Sequence, residues 1–91
     1  MAYRIDQQPR DVRDYDLDFG EFFPADDTVV SAQVVVEPAV GLTVNYAIQH
    51  PRVKVWIQDG VDGAAYKVTV VAYTNDGRAK EVELAVRIKD K

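Results

Sequence analysis

From Thr28 to Ile88 the chain is a succession of segments with a two-residue hydrophobic period. Leu42, Val44, Tyr46 and Ile48 alternate with Thr43, Asn45 and Ala47; Val53, Val55 and Ile57 alternate with Lys54, Trp56 and Gln58. Tyr66, Val68, Val70 and Ala72 share one face of a third segment. Val82, Leu84, Val86 and Ile88 oppose Glu81, Glu83 and Arg87 in a fourth. Successive side chains of a strand point to opposite faces, so this pattern reads as half-buried strands. No segment sustains a helical period. Thr28 to Val36, rich in β-branched residues, reads as a further strand.

The breaks carry turn chemistry. Glu37-Pro38-Ala39-Val40-Gly41 and Gln49-His50-Pro51 contain prolines, which cannot donate to a ladder. Asn75-Asp76-Gly77-Arg78 suits a hairpin, because Asn, Asp and Gly tolerate positive φ. Short strands at this spacing predict an all-β fold, an immunoglobulin-like antiparallel β-sandwich of about six to seven strands. The last two strands are expected to form a long hairpin that shares a sheet with Leu42 to Ile48. Thr28 to Val36 and Val53 to Gln58 are expected to form the other sheet, with the Tyr15 region at an edge.

The stretch from Asp59 to Val68 specifies the fold further. Two Asp-Gly pairs precede Tyr66, and Val68 follows two residues later. In immunoglobulin-type sandwiches a tyrosine near the start of this strand turns its hydroxyl back to the preceding corner. Val68 stands where such domains place a cysteine. This chain has no cysteine, which excludes disulfides, thiol chemistry and Cys-based zinc sites.

Residues 1–13 are polar and carry Pro9, and read as a flexible N-terminal arm; residues 14–91 read as the sandwich domain. Tyr15, Leu17 and Phe19 alternate with Asp16 and Asp18, as in a short edge strand. A tight turn at Phe19 to Phe23 should follow and drop a phenylalanine into the core, with Pro24 ending it. No apolar run approaches the roughly 18 residues of a membrane span, and the first residues lack the apolar core of a signal peptide. The formal net charge is -4, with Lys and Arg scattered, which argues against nucleic acid as a partner.

Catalytic chemistry has little to build on. His50 is the only histidine and Ser31 the only serine, placed mid-strand, so a Ser-His-Asp site is not expected. Asp14-x-Asp16-x-Asp18 resembles the start of an EF-hand loop, but Phe19 stands where glycine is needed and Ala25 where a bidentate Glu is needed. A looser calcium site could join Asp26 or Asp27 to Asp59 or Asp62 if those loops meet. No phosphate-binding loop is present, and no cofactor is expected. Trp56 lies opposite Val53, Val55 and Ile57 and could be an exposed docking aromatic. With the register reversed it would be core, a reading favoured by the sandwich's use of one large ring between its sheets.

The order of these features resembles a family of small bacteriophage virion proteins with an immunoglobulin-like fold, of the fiber-tail adaptor or tail-assembly type. The matching pieces are Tyr15-Asp16-Leu17-Asp18-Phe19 with Phe22, Asp27-Thr28-Val29-Val30-Ser31-Ala32, Val55-Trp56-Ile57, Asp62-Gly63-Ala64-Ala65-Tyr66-Lys67-Val68 and Thr74-Asn75-Asp76-Gly77-Arg78. They cover about residues 14–90; Phe19 stands where relatives carry tryptophan. The resemblance implies a non-enzymatic structural part of the virion, made in the host cytoplasm and partnered by other virion proteins or by copies of itself. The alternative is a bacterial immunoglobulin-like adhesion or carbohydrate-binding module. The expected contact surface comprises Tyr15, Leu17 and Phe19 on the acidic edge, Trp56 if it is exposed, and the arm before that edge, since an edge strand is a ready template for another subunit.

Overall fold

The computed structural model describes residues 2–90. Seven strands run in chain order: β1 Ala2–Gln7, β2 Arg13–Asp18, β3 Val29–Glu37, β4 Leu42–Gln49, β5 Arg52–Asp59, β6 Ala65–Thr74 and β7 Ala79–Ile88. A 3-10 turn at Gly20–Phe22 follows β2. One sheet has the order β1-β7-β6-β3 and the other β2-β5-β4. Apart from the first strand, this is the partition of an immunoglobulin domain, whose second, fifth and fourth strands face its third, sixth and seventh.

The two-residue period sets which side chains meet. Val53, Val55 and Ile57 of β5 face Val68 and Val70 of β6 and Leu84, Val86 and Ile88 of β7 across the core, all of them buried. A phenylalanine does drop into this core, and it is Phe19, from the end of β2; its ring meets Phe22 edge-on at 6.1 Å. The Asn75-Asp76-Gly77-Arg78 turn joins β6 and β7 in the expected antiparallel hairpin.

Three features differ from the sequence reading. β4 pairs with β5, while β3 joins the β6–β7 hairpin, the reverse of the expected partition. Pro51 does not bar pairing, because it sits in the two-residue turn between Gln49 and its partner Arg52, outside the ladder where a missing N–H would matter. The chain crosses between sheets at Pro38 to Gly41 instead. The second difference is β1. Residues 2–7 fall within the expected arm, yet they pair with β7, Tyr3 opposite Leu84 and Ile5 opposite Val86. This pairing is parallel, the third difference from an all-antiparallel sandwich.

The corner before β6 is built as the tyrosine predicted. The backbone N–H of Val61 donates to the Tyr66 hydroxyl at 3.1 Å, and the ring is buried. Gly60 has φ +96, and a Cβ there would lie 2.7 Å from Cγ1 of buried Ile88, so the corner packs too closely for a side chain.

Candidate docking surface

At one open side of the sandwich, edge strand β1 of the first sheet faces edge strand β2 of the second. Gln7, at the end of β1, bridges them. Its Nε2 donates to the Ile57 carbonyl at 2.8 Å and to the Asp11 carbonyl at 3.1 Å, and its Oε1 accepts from the Tyr15 hydroxyl at 3.0 Å. A buried amide satisfied this fully costs the fold little. Burial pushes the Tyr15 hydroxyl above its ordinary pKa of 10.0, with Arg13 offsetting part of the shift, so the hydroxyl keeps the proton it donates. At the opposite edge Tyr46 of β4 donates to the Ala32 carbonyl of β3 at 3.1 Å. One tyrosine from each edge of the three-stranded sheet thus reaches across to the other sheet.

Beyond the Gln7–Tyr15 bond the two edges part, leaving a cleft of about 470 Å³. Ile5, Leu17 and Leu84 give it an apolar floor, and Asp16, Asp18 and Glu21 stand on one wall. Lys54 Nζ lies 3.9 Å from Asp16 and 3.4 Å from Asp14 on the adjoining outer face.

The four residues expected at a contact surface divide. Tyr15 is half-buried and lines the cleft. Leu17 is 7% exposed and contributes to the cleft only as floor, while Phe19 is fully buried and is removed from any surface. The alternation that suggested an exposed edge in fact turns its apolar side inward, because β2 has the core behind it. Trp56 lies on the outer face, between Asp14 of β2 and Asn45 of β4, half-buried, with Lys54 Nζ 5.9 Å from its ring centroid. The core reading of Trp56 is therefore corrected: three β-branched residues, Val53, Val55 and Ile57, claim the inner face.

Sequence reasoning did not bring Asp27 and Arg78 together. Asp27 is 1% exposed, and its Oδ2 accepts from Arg78 Nη1 at 2.9 Å. Its Oδ1 accepts from the backbone N–H groups of Thr28 at 3.0 Å and Asp76 at 3.2 Å. Burial alone would raise its pKa. Hydrogen bonds from Thr74, Arg78 and those backbone groups outweigh that and hold the carboxyl below its ordinary 3.8. The two markers were visible as Asp27-Thr28 and Asp76-Gly77-Arg78, but only the strand partition puts them at one end.

That end lies opposite the Asp59 and Asp62 loop along the ten-residue strand β6, where Asp62 accepts from the Asp90 N–H. The loops of the considered calcium site therefore do not meet. Among the described residues no group of three or more His, Cys, Asp or Glu is placed to hold a metal ion. His50 Nδ1 accepts from the Val29 N–H at 3.1 Å, tying the β4–β5 turn to β3. Among the described residues no helix is long and apolar enough to cross a membrane.

Residues 7–87 match the family model described as Podophage GP4 fiber-tail adaptor protein gp77. The matched span takes in β2 to β6, nearly all of β7 and the Asp27–Arg78 pair. No curated protein matches the chain.

Proposed function

Because the chain belongs to the podophage GP4 fiber-tail adaptor protein gp77 family, and so is a structural protein of the phage tail, we propose that it works without catalysis, by binding neighbouring virion proteins. The observation that carries this reading is the family match across residues 7–87. The sandwich adds support: His50 is engaged by backbone, and Asp27 and Arg78 are engaged by each other. These side chains hold loops in place. The accessible features are of the contact kind, an open cleft between two strand edges and a half-buried tryptophan on the outer face of the three-stranded sheet. The protein is made in the host cytoplasm and ends in the virion, where it joins tail to fiber components.

The test is a phage lacking this gene, grown on hosts with and without a plasmid copy. Negative-stain images should show defective tails or missing fibers without the plasmid, and infectivity restored with it. Intact, infectious particles without the protein would sink the structural role.

A further inference from the structure

We propose that the cleft between β1 and β2 receives an extended segment of another virion protein, alternating apolar with Lys or Arg residues, which adds to β2 as an extra strand. The proposal rests on the contact function above and names the partner's chemistry.

Among the described residues β2 has a strand partner on one side only, β5, so its other side offers a backbone edge to the cleft. The other open side is narrowed by the Tyr46–Ala32 bond. On this side the Gln7–Tyr15 bond closes one end alone, and the cleft lies past it. Its floor of Ile5, Leu17 and Leu84 is part of, or packed on, the core, so an entering apolar side chain would extend that core.

Charge selects the occupant. Asp14, Asp16 and Asp18 stand on the outer side of β2, opposite Trp56, Lys54 and Arg52 of β5, while Tyr15 and Leu17 point inward. A strand added on the free side of β2 would place its alternate residues beside those same positions. The complement is therefore apolar beside Tyr15 and Leu17, and basic beside the three aspartates. Glu21, also on the cleft wall, adds to the demand for positive charge: Arg4 is the one cation among the residues lining the cleft, and Lys54 on the outer face is shared between Asp14 and Asp16. A second copy fits poorly, because pairing β2 with β2 sets aspartates against aspartates, and like charges directly opposite are destabilising. The chemistry is that of strand addition: main-chain hydrogen bonds supply affinity and alternate side chains supply selectivity.

The experiment uses intact particles. Tyr3, on the cleft wall, is replaced by the photo-cross-linker p-benzoylphenylalanine, with Val40 on a distant loop as control position. Irradiated particles are digested and the linked peptide sequenced. The expected product joins position 3 to a segment of a different virion protein with alternating apolar and basic residues, absent from the Val40 control. Linkage only to a second copy, to an acidic segment, or to nothing would overturn the proposal. In parallel, the exposed pair Asp16→Lys and Glu21→Lys, melting as wild type does, should lower plasmid rescue of the deletion phage about tenfold or more. Rescue equal to wild type would overturn the cleft while leaving the contact function standing. Wild-type protein that neither enters particles nor rescues them would overturn the contact function itself.

Discussion

Asp27 and Arg78 stand 51 residues apart in the chain and meet at 2.9 Å, at the end of the sandwich where the turn after the 3-10 segment abuts the β6–β7 hairpin. The same aspartate binds the backbone of Asp76, and Asn75 N–H donates to the Thr28 carbonyl at 2.9 Å. Two loops from different parts of the chain are thereby locked as one surface.

This pair predicts an acid limb. The folded pKa of Asp27 lies below its unfolded value, so its stabilisation is fully present above about pH 3.9 and is lost as pH falls through the folded value. Asp27→Asn should melt below wild type at neutral pH, and the gap should narrow as pH drops below about 4. Thermal melts between about pH 7 and pH 2 check this; a gap constant across that range would show that the carboxylate charge is not what holds the loops.

Tyr66→Phe keeps the buried ring and removes the hydroxyl that accepts from the Val61 N–H. The expected loss is about 1 kcal/mol, or a melting point lower by roughly 4–8 °C for a domain of this size. An unchanged melting curve would mean that the corner does not depend on the hydroxyl.

Residues on either side of one peptide bond should respond differently. Ile57→Ala empties a fully buried site and should cost about 2–5 kcal/mol. Trp56→Ala removes a larger ring from the outer face and should cost only about 1 kcal/mol, where a core tryptophan would lose about 3–5. Chemical denaturation of both variants decides which residue the sandwich holds inside.

These cases show what a sequence carries. Period two told which side chains share a face, so Tyr66, Val68 and the β6–β7 hairpin were legible. It did not tell which strand lies beside which, and the β3 and β4 partners were exchanged for that reason. Trp56 was ambiguous because ring size and alternation pointed opposite ways, and packing followed the three β-branched neighbours. β1 was missed because its alternation, Tyr3 and Ile5 against Arg4 and Asp6, is short and ends on Gln7, whose burial needs the distant Ile57 carbonyl. The cleft was illegible for the same reason: β1 and β2 border it without pairing to each other.

Gln7→Ala tests whether β1 is a working part of the fold. It leaves the Ile57 carbonyl and the Tyr15 hydroxyl without their partner and should cost about 1–3 kcal/mol. Hydrogen exchange should also show β1 amides protected in wild type and faster in the variant. Stability and exchange unchanged from wild type would return residues 2–7 to the status of a loose arm.

The most direct measurement is a cryo-electron microscopy map of the purified phage tail. The expected map holds the seven-stranded sandwich at the junction of tail and fiber, touching other virion proteins, with an added strand along β2. A complete, infectious tail containing no copy of the protein would contradict its role as a structural adaptor.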